Sequence, residues 1–114
     1  MNKSKQIIEF VLSQVGYKEQ PINKTTYAAE IDKNWPNFYN TKKQGAAWCD
    51  IFVDFCFLKI FGYSEALRML CQPEKSTGAG CKFSRQFYEK AGRLFKDPEP
   101  GDQIFFGPAA NSNH

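Results

Sequence analysis

The chain has 114 residues, of which 42% are hydrophobic and 24% charged, and its formal net charge is +3. This composition is typical of one globular domain, and the length is enough for one core. The lysines are scattered, so no dense basic run indicates a nucleic-acid site, and no stretch approaches the roughly 20 apolar residues of a membrane span. We therefore expect a single domain over residues 1–114, a monomer that neither binds nucleic acid nor spans a membrane.

Two helices are predicted in the first part of the chain. Residues 4–15 carry a one-sided apolar stripe at helical spacing, formed by Ile7, Ile8, Val11, Leu12 and Val15. A second, short helix is expected over residues 26–31, and it must end before Pro36 because a proline disfavours helical dihedrals in the residue that precedes it. The loop that follows is rich in aromatic residues, which either cap the core or line a groove.

The central helix is expected to begin near residues 45–47, to end near Phe61 and to stop at Gly62. It is apolar on almost every side, and such a helix must be buried. It carries Cys49 in its first turn and Cys56 two turns further on nearly the same face. We interpret Cys56 as a packing residue, since free cysteines are among the most buried residue types.

The last third of the chain changes in character. Ser64 is expected to cap a helix over residues 64–70, and a further helix is expected over residues 82–91. A turn cluster at residues 97–102 then leads to a β-favouring run at residues 103–106, which predicts a strand. A single strand needs partners, so a sheet is expected to include this segment.

The four cysteines lack any CxxC spacing, and the chain has one histidine, so no zinc or other metal site is expected. One Cys71–Cys81 disulfide remains an alternative to four free thiols. A calcium site in the loop before the central helix is a second open alternative, because oxygen-bearing side chains cluster there. They are Asp32, Asn34, Asn37 and Asn40.

Cys49 is the candidate nucleophile. The first turn of a helix offers free backbone N–H groups and the positive end of the helix dipole, which favour a thiolate and an oxyanion. His114 is the only histidine and thus the only imidazole base for a Cys–His pair. The alternative is that Cys49 is inert packing and that His114 is a surface residue.

Two motifs carry a family resemblance. The first is Ala47-Trp48-Cys49-Asp50-Ile51-Phe52-Val53-Asp54-Phe55-Cys56, and the second is Pro98-Glu99-Pro100-Gly101-Asp102 followed by residues 103–106 and His114. In this order they are similar to the CHAP domains, the cysteine- and histidine-dependent amidohydrolases and peptidases of the papain-like superfamily.

The resemblance implies an α+β papain-like fold, with N-terminal helices packed on an antiparallel sheet. It implies hydrolysis of amide bonds in the peptide part of peptidoglycan, as in phage endolysins and bacterial autolysins, with Cys49 as nucleophile and His114 as general base. It requires no cofactor. Some members bind calcium before the nucleophile, but the oxygen-rich loop here does not reproduce their pattern.

The family also places a Glu, Asp or Asn on the strand after the histidine, and no residue follows His114 here. We therefore expect an incomplete sheet, a third catalytic residue outside the sequence and a chain of little or no activity. No signal peptide is recognised, since Glu9 and Gln14 interrupt the apolar run, so a phage-encoded or bacterial protein would reach the cell wall after release.

Two rival functions remain open at this point. The chain could be a non-catalytic wall-binding module whose aromatic loop at residues 35–39 stacks on sugars. It could also be another acyl-transfer enzyme of the papain-like kind, which would form a new amide where a hydrolase frees an amine.

Overall fold

The long apolar helix predicted from the sequence lies at the centre of the structure. In a computed structural model, the chain is described over residues 2–21, 23–72 and 80–106. Within these ranges it forms five helices, namely α1 (Lys3–Ser13), α2 (Thr26–Asn34), α3 (Cys49–Phe61), α4 (Tyr63–Met69) and α5 (Cys81–Lys90). Helix α3 packs against each of the other four.

Helix α3 is buried around most of its circumference, as its apolar sequence predicted. Ile51, Phe55, Cys56 and Leu58 are all 3% exposed or less. Burial of an isoleucine, phenylalanine or leucine side chain stabilises the fold by roughly 1.5–3 kcal/mol, so α3 supplies much of the hydrophobic stabilisation. An aromatic cluster closes the core at its side, where the Tyr27 ring lies 4.6–5.8 Å from four neighbouring rings. These are Tyr17, Trp48, Phe52 and Phe55.

The two N-terminal helices form where they were predicted, and each begins at a polar cap. Asn2 Oδ1 accepts from the Lys5 amide at the start of α1, and Thr25 Oγ1 accepts from the Ala28 amide at the start of α2. The apolar stripe of α1 is only partly used for packing. Ile7 is buried and Leu12 is 62% exposed, while Val15, predicted as the end of the stripe, lies beyond the last helical residue, Ser13, and is 80% exposed.

Gly62 separates α3 from α4 with a φ of +84°, a conformation that costs a residue with a side chain but not glycine. It serves both as the C-cap of α3 and as the N-cap of α4. The prediction that Ser64 caps α4 is therefore wrong, since the helix begins one residue earlier, at Tyr63.

The predicted α+β fold with an antiparallel sheet is wrong for the described residues, which are all-helical and contain no strand. An isolated antiparallel bridge pairs Gln20 with Lys24. Residues 103–106 keep the alternating exposure expected of a strand, since Ile104 and Phe106 are exposed while Gln103 and Phe105 are half-buried. The segment packs through its side chains against α3 and α5 instead of through a backbone ladder, and without a ladder partner it is no strand.

None of the helices in the described ranges has the length and apolar character needed to cross a lipid bilayer.

Candidate active site around Cys49

Cys49 is the first residue of α3, in agreement with its predicted place in the first turn. Its side chain is partly buried and its thiol is free. In an α-helix the first amides have no acceptor within the helix, so this end of α3 presents N–H groups and positive partial charge beside the thiol. The location can therefore stabilise the oxyanion that forms when the sulfur attacks a carbonyl.

Trp48, immediately before Cys49, is fixed by contacts on both sides of its ring. Its Nε1 donates to Glu19 Oε1 at 3.3 Å, and the other oxygen of Glu19 accepts from the Asn23 amide at 2.7 Å. The indole also packs edge-on to Tyr17 and Phe52. The backbone that enters α3 is thus held by the loop between α1 and α2, which positions Cys49.

Cys81 lies directly against Cys49, with the two Sγ atoms 3.4 Å apart. It is the first residue of α5, so the N-terminal ends of two helices meet at this sulfur pair. Burial, followed by the hydrogen bond with Cys49, raises the pKa of Cys81 to about 12. Cys81 therefore stays protonated near neutral pH, and its S–H is available as a weak donor to the Cys49 sulfur.

Asp50 joins three segments of the chain at the base of this site. Its Oδ2 accepts from the Gly80 amide at 3.0 Å and from Ser84 Oγ at 2.8 Å, which fixes the start of α5. Its Oδ1 accepts from Gln103 Nε2 at 3.0 Å. Because Asp50 is only 2% exposed, these three donors compensate the removal of its carboxyl from water.

A second buried carboxyl, Asp54, lies one turn further along α3. Tyr39 Oη and Gln72 Nε2 donate to its two oxygens at 2.6 and 3.1 Å. Burial, reinforced by the neighbouring Asp50 carboxyl, raises the pKa of Asp54 well above its usual range, although both hydrogen bonds act in the opposite direction. Asp54 is therefore a hydrogen-bonded core residue that lies one turn away from the Cys49 thiol.

The outcomes for the predicted site residues differ. Cys49 is at the helix start and Cys56 is a core residue, as predicted, and burial raises the pKa of Cys56 to about 12. The alternative Cys71–Cys81 disulfide is wrong, because both thiols are free and Cys81 contacts Cys49. His114 lies outside the described residues, so its pairing with Cys49 stays a prediction.

The loop considered for calcium is organised by its own backbone. The Asp32 carboxylate accepts from the Lys43 amide with both oxygens at 3.1 Å, and from the Gln44 amide at 3.3 Å. Asn40 Oδ1 accepts from Lys43 Nζ at 2.8 Å. The described residues contain no group of three or more His, Cys, Asp or Glu side chains placed to hold a metal ion.

The aromatic loop before α3 mostly caps the core. Phe38 and Tyr39 are 1% and 3% exposed, so they cannot stack on a sugar, and only Trp35 remains partly accessible.

An open groove of about 530 Å³ lies after α5, and Cys49 is not among its lining residues. These are Arg93, Phe95, Lys96, Asp97, Glu99 and Asp102.

Sequence reasoning missed two residues that build the site, Asp50 and Cys81, and the buried core carboxyl next to it, Asp54. A signal for the two aspartates was present, since they are separated by one helical turn within an otherwise apolar helix, and a buried carboxyl needs donors. The contact of Cys81 with Cys49 had no local signal. It depends on how α5 packs on α3.

Comparisons with protein-family models, with curated proteins and with solved structures found no match to this chain.

Proposed function

We propose that Cys49 is the nucleophile of a thiol-dependent amide hydrolase of the CHAP type, acting on the peptide part of bacterial cell-wall peptidoglycan. The observation that carries the proposal is the 3.0 Å hydrogen bond between Asp50 and Gln103. It joins the two sequence motifs on which the resemblance to CHAP domains is based, although they are 53 residues apart. A helix with a cysteine at its start and the segment that leads to His114 are thus neighbours.

The Gln103 side chain is held from two directions. Its Nε2 donates to Asp50, and its Oε1 accepts from Tyr88 Oη at 3.0 Å. His114 lies eleven positions after Gln103, and such a length can span up to roughly 36 Å when extended. The covalent chain is therefore long enough to bring the imidazole to Cys49, which adjoins Asp50.

In the proposed reaction the Cys49 thiolate attacks the carbonyl carbon of a wall-peptide amide, after its proton has passed to His114. The first amides of α3 stabilise the resulting oxyanion. His114 then returns the proton to the leaving amine, and the C–N bond breaks. Water, deprotonated by His114, hydrolyses the acyl group on Cys49 and regenerates the thiol.

The test is incubation of the reduced protein with purified peptidoglycan, followed by two measurements. Released amino groups are counted with an amine-reactive dye, and a wall-peptide acyl group on Cys49 is sought by mass spectrometry after acid quenching. We expect low activity, of about one amino group released per protein molecule over a prolonged incubation. We expect none from Cys49→Ala and an unchanged yield from Cys71→Ala, which removes another partly exposed thiol.

Amine release that persists in Cys49→Ala would overturn the assignment of the nucleophile. A wild-type protein that shows neither amine release nor an acyl group on Cys49 would overturn the proposed function. Formation of a new amide in place of a free acid would identify an acyl transferase in place of a hydrolase.

A further inference from the structure

We propose that Cys49 and Cys81 form a redox modification site, a dithiol that reacts with small-molecule disulfides and closes into a Cys49–Cys81 disulfide. The formation of this disulfide does not depend on the proposed function. Only its effect on activity does, because oxidation would consume the thiol that attacks the substrate.

The geometry of the pair favours this reaction. The two sulfurs are 3.4 Å apart, and a disulfide bond needs about 2.05 Å, so they must approach by a further ~1.4 Å. All four cysteines lie in the described residues, and this is the pair in sulfur–sulfur contact. Although the two cysteines are 32 residues apart in the sequence, the fold already holds them in contact.

The start of α5 is fixed independently of the sulfurs. The Gly80 amide, next to Cys81, and Ser84 Oγ, one turn later, both donate to Asp50 Oδ2. Asp50 itself follows Cys49 in α3. The residues that flank the two thiols are therefore tied to each other by one buried and one partly buried hydrogen bond, which keeps the sulfurs adjacent and gives each a high effective concentration toward the other.

The two thiols differ in access, which sets the order of the steps. Cys49 is partly exposed and Cys81 is only 7% exposed, so a dissolved disulfide RS–SR reaches Cys49 first. The Cys49 thiolate attacks one sulfur of RS–SR, the S–S bond breaks, and RS⁻ leaves and takes up a proton.

In the second step Cys81 loses its proton and attacks the Cys49 sulfur, and the second RS⁻ leaves and is protonated. The pKa of about 12 for Cys81 lowers its thiolate fraction, and the adjacency of the two sulfurs compensates by raising the effective concentration of one toward the other. Overall, two thiols and one RS–SR give one protein disulfide and two RSH. The protein is oxidised by two electrons and the small disulfide is reduced by two.

The experiment uses oxidised glutathione as the probe. The folded, reduced chain is incubated with it and the reaction is quenched with acid. Remaining thiols are then blocked with N-ethylmaleimide in denaturant at mildly acidic pH, and the protein is digested without reduction. Trypsin together with Asp-N protease separates the cysteines, since Cys49 falls in residues 44–49, Cys56 in 54–59, Cys71 in 69–75 and Cys81 in 76–82. We expect a cross-link between peptides 44–49 and 76–82, in about tenfold or greater excess over glutathione-bound Cys49.

Two variants provide controls. Cys81→Ser should stop at glutathione-bound Cys49, and Cys71→Ser should give the same cross-link as the wild type. Stable glutathione on Cys49 in the wild type, or a cross-link to Cys56 or Cys71, would overturn the proposal. The readout is a mass and needs no catalysis, so failure of the dithiol site is distinguishable from failure of peptidoglycan hydrolysis, which is measured separately under reducing conditions.

Discussion

Tyr39 donates a 2.6 Å hydrogen bond to Asp54 in the core, and this contact ties the loop after α2 to the middle of α3. Tyr39 is 3% exposed and Asp54 is 1% exposed. Gln72, just beyond α4, donates to the second oxygen of the same carboxyl. One buried acid therefore organises two connecting segments, and its environment determines how the stability of the protein responds to substitution and to pH.

Tyr39→Phe should destabilise the protein by about 1–3 kcal/mol, because it removes the hydroxyl donor and leaves a buried carboxyl oxygen without it. The free energy of unfolding in urea measures the loss. A double-mutant cycle with Asp54→Asn isolates the contact, and we expect the two substitutions together to cost less than the sum of their separate effects. Strict additivity would contradict a direct interaction.

Asp54→Asn should change the pH dependence of stability. The raised pKa of Asp54 means that the folded protein holds this proton more tightly than the unfolded chain. Its contribution is fully present below the ordinary value of 3.8 and is lost as pH rises through the folded pKa. We therefore expect the stability of Asp54→Asn relative to wild type to increase from pH 4 to pH 8, as measured by urea unfolding at each pH. Parallel curves for the two proteins would rule this out.

Gln103→Ala should release residues 102–106 from the site, because its side chain bonds both Asp50 and Tyr88. Limited digestion with chymotrypsin should then cut after Phe105 and Phe106 several-fold faster, while the helical core keeps its melting temperature within a few degrees. The matched control is Gln86→Ala, an exposed glutamine on α5, which should leave the cleavage rate unchanged. Equal rates for the two variants would show that Gln103 does not hold the segment.

Iodoacetamide at pH 8 should divide the four cysteines into two classes. Burial raises the pKa of Cys56 to about 12, and burial together with Cys49 does the same for Cys81, so only about 10⁻⁴ of either is thiolate. Cys49 and Cys71 are partly exposed and should be labelled first. In denaturant all four should react at similar rates, and rapid native labelling of Cys56 would contradict its place in the core.

The sequence predicted the helical part of the fold well because that part is determined locally. The continuous apolar run of α3 and its stop at Gly62 allow few alternatives, and Cys49 accordingly begins that helix. The apolar stripe predicted for α1 shows what such a pattern does not determine, namely whether its side chains are buried. Its period predicts a helix, but whether Leu12 and Val15 are covered depends on what packs beside them, and both are exposed.

The strand at residues 103–106 was predicted wrongly for a related reason. A short β-favouring run bounded by turn residues shows that a segment favours extended backbone, and here the segment packs on the protein through Gln103 and Phe105. It does not show that a neighbouring backbone offers hydrogen bonds. Likewise, the Cys49–Cys81 contact connects two helices across 32 residues, and no local pattern encodes it.

The Asp50 carboxyl has a consequence for the order in which the protein assembles. Its bonds to Gly80 and Gln103 close loops of 30 and 53 residues, so they form after the local helices and after α3 is in place. The Gly80 amide should therefore exchange with deuterium faster than the amides in the middle of α3, through partial openings that release α5 while the core persists. Each such opening would separate Cys81 from Cys49, so the lifetime of the sulfur pair is set by a carboxyl one residue away.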